Sequence, residues 1–219
     1  MTTLHDRLRR AEEARRVPQA LWERMKADPA RAPEQLALAA AEYHGPAAAD
    51  WVAERLERYA AHPSELARMA KRRHATLARM SGAATGVGGM LTIVPDLAAA
   101  AWIQSRVVFF VAAACGYDPR DPMRPAELLV LRDFYATPQE ARRALDGVGA
   151  TVVESYVESR LQREEMLAVR LAKMVGLRTV RRTAGRLIPG FAIAWNAIGN
   201  ERQTREIADR AIEFYGGRR

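Results

Sequence analysis

Cysteine is almost missing from this 219-residue chain: Cys115 stands alone, so no internal disulfide holds it together. Lysine is scarce as well. Lys26, Lys71 and Lys173 are the only ones, and every other basic residue is arginine, a bias that a GC-rich coding sequence also produces. No uncharged apolar run reaches the roughly 20 residues that a membrane-spanning helix needs. The longest, Met80 to Pro95, is 16 residues and full of glycine. The apolar stretch after it is broken by Asp96 and Arg106, each costly at a bilayer centre. Met1 to Arg16 is charged throughout and has no signal-peptide core. These absences point to a cytoplasmic protein, with peripheral contact on the inner face of the membrane left open.

Strand signals are also lacking. β-branched residues are sparse, and no Asn-Gly or Asp-Gly joins two alternating runs; Asp146-Gly147 sits at the end of a helical pattern, where glycine serves as a cap. No Walker A loop, H-E-x-x-H, G-x-S-x-G or G-x-G-x-x-G is present. His5, His44, His62 and His74 fall on polar helix positions or in turns and make no general-base or metal-ligand set.

What remains is alanine, leucine and arginine, all good helix formers. The expected fold is all-α: a compact multi-helix bundle around two buried Gly/Ala-rich helices, preceded by an N-terminal extension of short helices. Pro18, Asp28-Pro29, Ala32-Pro33 and Gly45-Pro46 divide residues 1–61 into helices near 4–17, 19–27, 33–43 and 47–61. The main body, 62–219, opens with Ser64 as N-cap of a basic helix over 64–80. A helix from Asp96 to Cys115, apolar on nearly every face, stops at Gly116. Helices are expected near 126–135, 138–146, 150–175 and 191–215.

Net charge is +8, and residues 1–60 carry ten basic and ten acidic side chains, so the whole excess lies beyond them. Two basic stretches, 68–79 with Arg72 and Arg73, and 178–186 with Arg178, Arg182 and Arg186, each precede a Gly/Pro kink and an apolar helix. A cationic stripe beside an apolar helix suits an anionic lipid surface. Nucleic acid fits poorly, because no aromatic interleaving, zinc pattern or helix-turn-helix accompanies the charge.

Polar residues on the apolar helices are the candidate ligand contacts. Asp96 can cap its helix, bind a ligand or ligate a metal ion. Gln104 shares its face, with Ala100 between them. Arg106 lies between Trp102 and Phe110, where it can stack on aromatic rings and is expected to meet a carboxylate elsewhere. Asn196, Asn200 and Thr204 repeat every four residues and share one face; they bond between helices or line a cavity. Glu154 and Glu158 form a similar pair on a face expected to be solvated.

Gly82-Ala83-Ala84-Thr85-Gly86-Val87-Gly88-Gly89 leading to Pro95-Asp96-Leu97, with the helix end Gly116-Tyr117-Asp118-Pro119, resembles the EcsC family. So does Leu187-Ile188-Pro189 followed by Asn200, Ile207, Ala211 and Tyr215. The likeness covers about 62–216. It departs from the family where a Gly-Ala-x-x-Gly pattern would follow the proline; here Ala192-Ile193-Ala194-Trp195-Asn196 stands instead. The resemblance implies a transporter-type protein partner and brings no catalytic residues with it. Two functions are therefore expected. The first is binding of lipid, or of another apolar ligand with a phosphate, through the Gly-rich helix pair and its basic collars. The second is a Mg²⁺-dependent enzyme acting on an isoprenoid-type diphosphate in a cavity lined by Asp96, Asn196 and Asn200.

Overall fold

The computed structural model describes residue 9 and residues 12–59, 62–83, 93–147, 160–177 and 197–217. The Gly86–Gly89 run, Glu154, Glu158, Arg178, Arg182, Arg186 and Asn196 lie outside the described residues. Eight α-helices and one 3₁₀ turn are seen among them, and no strand: α1 (Gln19–Ala27), the turn Pro29–Arg31, α2 (Ala32–Tyr59), α3 (Pro63–Ala83), α4 (Ile93–Ala114), α5 (Arg124–Leu131), α6 (Pro138–Asp146), α7 (Arg160–Met174) and α8 (Ala197–Gly216). The protein is all-α.

The apolar helix α4 is the axis, and α2, α3, α7 and α8 pack around it. Its residues from Leu97 to Ala114 are buried apart from Arg106. By length and composition α4 could cross a membrane, but here it is the core helix of the bundle. Much of what the neighbouring helices bury is alanine: Ala37, Ala40 and Ala48 on α2, Ala67, Ala70 and Ala78 on α3, Ala208 and Ala211 on α8. Small side chains let helix axes approach closely. The helix stops where the sequence indicates. Gly116 takes a φ of 85°, and the Tyr117 amide reaches back to the Ala112 carbonyl, closing the turn.

Several boundaries differ from expectation: α4 begins at Ile93 rather than Asp96, α5 spans Arg124–Leu131 rather than 126–135, and two further differences bear on the packing. Helix α3 begins at Pro63, with the His62 carbonyl rather than Ser64 at its start. More consequentially, Gly45-Pro46 does not separate two helices; α2 runs unbroken through it for 28 residues. An internal proline costs a helix about 3 kcal/mol, and packing overrides that cost. Leu36, Ala40, His44, Ala48 and Trp51 form one buried line along α2. Gly45 is part of the contact: a Cβ there would stand 2.8 Å from the Pro119 carbonyl oxygen. Gly45→Ala is thus expected to destabilise the fold by about 1–3 kcal/mol through overpacking against rigid backbone, measurable as a lowered urea midpoint at unchanged slope.

Candidate functional site

Gln104 sits at the centre of the molecule, fully buried on α4. Its Oε1 accepts from Arg132 Nη2 at 2.6 Å, and its Nε2 donates to Asn200 Oδ1 at 3.5 Å. Asn200 Nδ2 donates to the Ala78 carbonyl at 3.2 Å, and the Thr204 hydroxyl donates to the Asn200 carbonyl at 2.7 Å. One relay of hydrogen bonds therefore joins the end of α5 to α4, α8 and α3. Of the residues expected to line a site, the fold brings Gln104, Asn200 and Thr204 together, and they bond to the helices and to one another. Arg132 is the member that sequence reasoning missed. It is buried, and among the described residues no carboxylate bonds to it and its Nε has no acceptor. Burial, with Arg210 nearby, lowers its pKa to about 9 against the opposing pull of Asp133.

Asp96 stands apart from this relay. It lies in the first turn of α4, where a carboxylate meets the positive end of the helix dipole. Arg15 Nη2 donates to it at 2.8 Å, tying the N-terminal segment to α4. No three acidic, histidine or cysteine side chains are grouped to hold a metal ion among the described residues.

Arg106 is on a third face, and the expectation of a carboxylate partner fails. Its guanidinium lies 5.2 Å from the Phe110 ring centroid, its Nε has no acceptor, and no ion pair forms to it among the described residues. Burial and the nearby Arg73 lower its pKa to about 10. Stacking on an aromatic face takes the place of the ion pair.

The Phe110 ring gathers groups from two neighbouring helices. His74 of α3 is 4.7 Å away, Trp51 of α2 is 5.5 Å, and the Arg73 guanidinium is 5.8 Å. His44 of α2 stacks on Trp102 at 4.3 Å. Both histidines were expected on polar positions, and both are interior: His44 is 5% exposed and His74 0%. The reason is visible along α2, where His44 continues the Leu36–Ala40–Ala48 line, and along α3, where His74 follows Leu66 and Ala70. His74 bonds through Nδ1 to the Ala70 carbonyl at 2.8 Å, and Nε2 of each ring is buried without a partner among the described residues. Burial is the main cause that pulls both histidines down, His74 to about 3, and the Arg106 charge adds to it.

On the outside, α3 turns Arg68, Arg72, Arg73 and Arg79 to solvent. Lys71 pairs with Asp209 of α8, and Arg79 approaches Glu201 at 3.7 Å, fixing the two helices side by side. Arg68 and Arg72 have no carboxylate partner among the described residues. Met69, 37% exposed, lies between them.

Fold and site define an all-α protein in which a central apolar helix is locked to its neighbours by buried polar groups, with an arginine-rich helix on the outside. The chain belongs to the EcsC protein family, whose sequence model matches residues 54–219. No curated protein and no solved structure matches the chain.

Proposed function

We propose that the protein is a cytoplasmic, membrane-peripheral accessory protein that binds anionic lipid, or another apolar ligand bearing a phosphate, through the arginine face of α3. The observation that carries this reading is the pair Arg68 and Arg72, exposed and unpaired, with Met69 exposed between them. Each basic side chain near an anionic leaflet contributes about 1 kcal/mol of attraction. Met69 adds an apolar contact at headgroup depth. The ties from Lys71 and Arg79 to α8 hold this face in place. Arg73 belongs to the same proposed contact; the second basic stretch, with Arg178, Arg182 and Arg186, is proposed as a further phosphate contact on its sequence alone. A transporter-type partner embedded in that membrane would meet the protein on the same side.

The Mg²⁺-dependent diphosphate chemistry has less support. Gln104, Asn200 and Thr204 are engaged with one another, and Asp96 faces Arg15 rather than them. Arg68→Glu/Arg72→Glu is expected to weaken sedimentation with phosphatidylglycerol vesicles at least about tenfold, given two attractive charges turned repulsive. Thermal unfolding should stay unchanged, because both side chains are exposed. Equal vesicle binding by the variant and the parent protein would remove this reading.

A further inference from the structure

A second basic feature lies where the 3₁₀ turn, the start of α2, α6 and α7 meet. A cleft of about 370 Å³ opens there, lined by Arg31, Glu34, Tyr135, Arg143 and Arg170. Three guanidiniums line it from three separate elements. None of them has a carboxylate partner among the described residues, so the charge in the cleft is unbalanced. Gly147 lies against the Arg31 guanidinium, with room for a Cβ at ordinary contact distance, 3.7 Å.

Glu34 forms the floor. It is 8% exposed, and its Oε1 accepts from the Tyr135 hydroxyl at 2.5 Å. Its Oε2 is buried and has no donor among the described residues. A buried carboxylate oxygen without a hydrogen bond is uncommon in folded proteins. Tyr135 has given its proton to that bond, so its oxygen presents lone pairs. Its phenol is pushed up by burial and by Glu34, while Arg31 and Arg170 pull the other way, which places both charges close to the floor.

From this arrangement we infer that the cleft binds a small phosphorylated polyol, either a free sugar-type phosphate or the headgroup of a phospholipid. Three guanidiniums suit a phosphate, the dianion of a free monoester or the monoanion of a lipid phosphodiester, which they grip by paired N–H donors. The bare Glu34 oxygen calls for a hydroxyl donor on the same ligand. The volume is at the small end of ligand clefts, which fits a phosphate on a short hydroxylated carbon skeleton. The cleft is a separate set of residues from the arginine face of α3.

The test is calorimetric titration of the full chain with glycerol 3-phosphate, inorganic phosphate and glycerol. Both phosphates should bind saturably, glycerol 3-phosphate the more tightly, and glycerol should not bind. Arg143→Ala/Arg170→Ala should weaken glycerol 3-phosphate at least about tenfold. Glu34→Gln should remove its advantage over inorganic phosphate. If the alanine variant does not fold, Arg143→Lys/Arg170→Lys keeps the charge, loses the paired donors and should still bind more weakly. A second arm uses phosphatidylglycerol vesicles. Weakened vesicle binding by the cleft variants assigns the ligand to a headgroup, and unchanged vesicle binding assigns it to a soluble phosphate. Absence of saturable phosphate binding, or binding indifferent to Arg143 and Arg170, overturns the inference whatever the Arg68 and Arg72 variants do.

Discussion

Gln104→Leu is expected to destabilise the protein by about 3–5 kcal/mol, the usual consequence of leaving a buried charge without its partner. Gln104 supplies the hydrogen-bond acceptor found for the Arg132 guanidinium, whose Nε already lacks one. Leucine fills the space but accepts nothing. Asn200 loses the donor to its Oδ1 in the same step. Against the 5–15 kcal/mol that holds most domains, this is a large part of the whole. The double variant Gln104→Leu/Arg132→Met should be more stable than Gln104→Leu alone, because the orphaned charge goes with its partner. Urea unfolding of the parent and the two variants measures both effects. A single variant within 1 kcal/mol of the parent, a bound set by ordinary surface substitutions, would mean that the relay does not bear on stability.

The second large effect is acid sensitivity above the carboxylate range. His44 and His74 are held neutral in the fold, His74 with its pKa near 3, whereas in the unfolded chain a histidine titrates near 6.5. A group whose folded pKa is lowered in this way favours the fold above the unfolded pKa. As pH falls below 6.5 the unfolded chain takes up protons that the folded chain refuses, so stability drops. Between pH 7 and pH 5 His74 contributes a loss of about 2 kcal/mol, and His44, held low mainly by burial, adds to the loss in the same direction. The Asp121 carboxyl is held below its usual range by the Met123 backbone N–H, so its effect falls at more acid pH than this window. His74→Leu should remove its own share of the pH dependence, about 2 kcal/mol between pH 7 and pH 5. Equal stability at pH 7 and pH 5 would contradict the buried, neutral state of these rings.

The two effects rest on residues of unequal legibility. The helical class, the stop at Gly116 and the apolar core helix α4 follow from glycine and proline punctuation and from an apolar pattern that covers every face. Those signals are local, and the chain obeys them. Gly45-Pro46 carries the same kind of signal and is overruled, because α2 buries a continuous line of side chains from Leu36 to Trp51 on either side of it. His44 and His74 lie on such lines, so their burial could have been read from the alanines one turn away. Gln104, Asn200 and Thr204 were recognisable as polar residues on apolar helices, and the fold does join them. Arg132 was not, since it follows a short helix and its partner lies 28 residues upstream. The same holds for Arg31, Arg143 and Arg170, which come from distant parts of the chain. Their meeting is a property of the packing and leaves no local trace.

The most direct test of the lipid-binding account is a polarity-sensitive fluorophore at Met69→Cys, between Arg68 and Arg72, with buried Cys115 left in place. On phosphatidylglycerol vesicles the emission should shift to the blue, and the shift should disappear on phosphatidylcholine or at high salt. Emission that stays unshifted on phosphatidylglycerol vesicles at low salt would contradict the account.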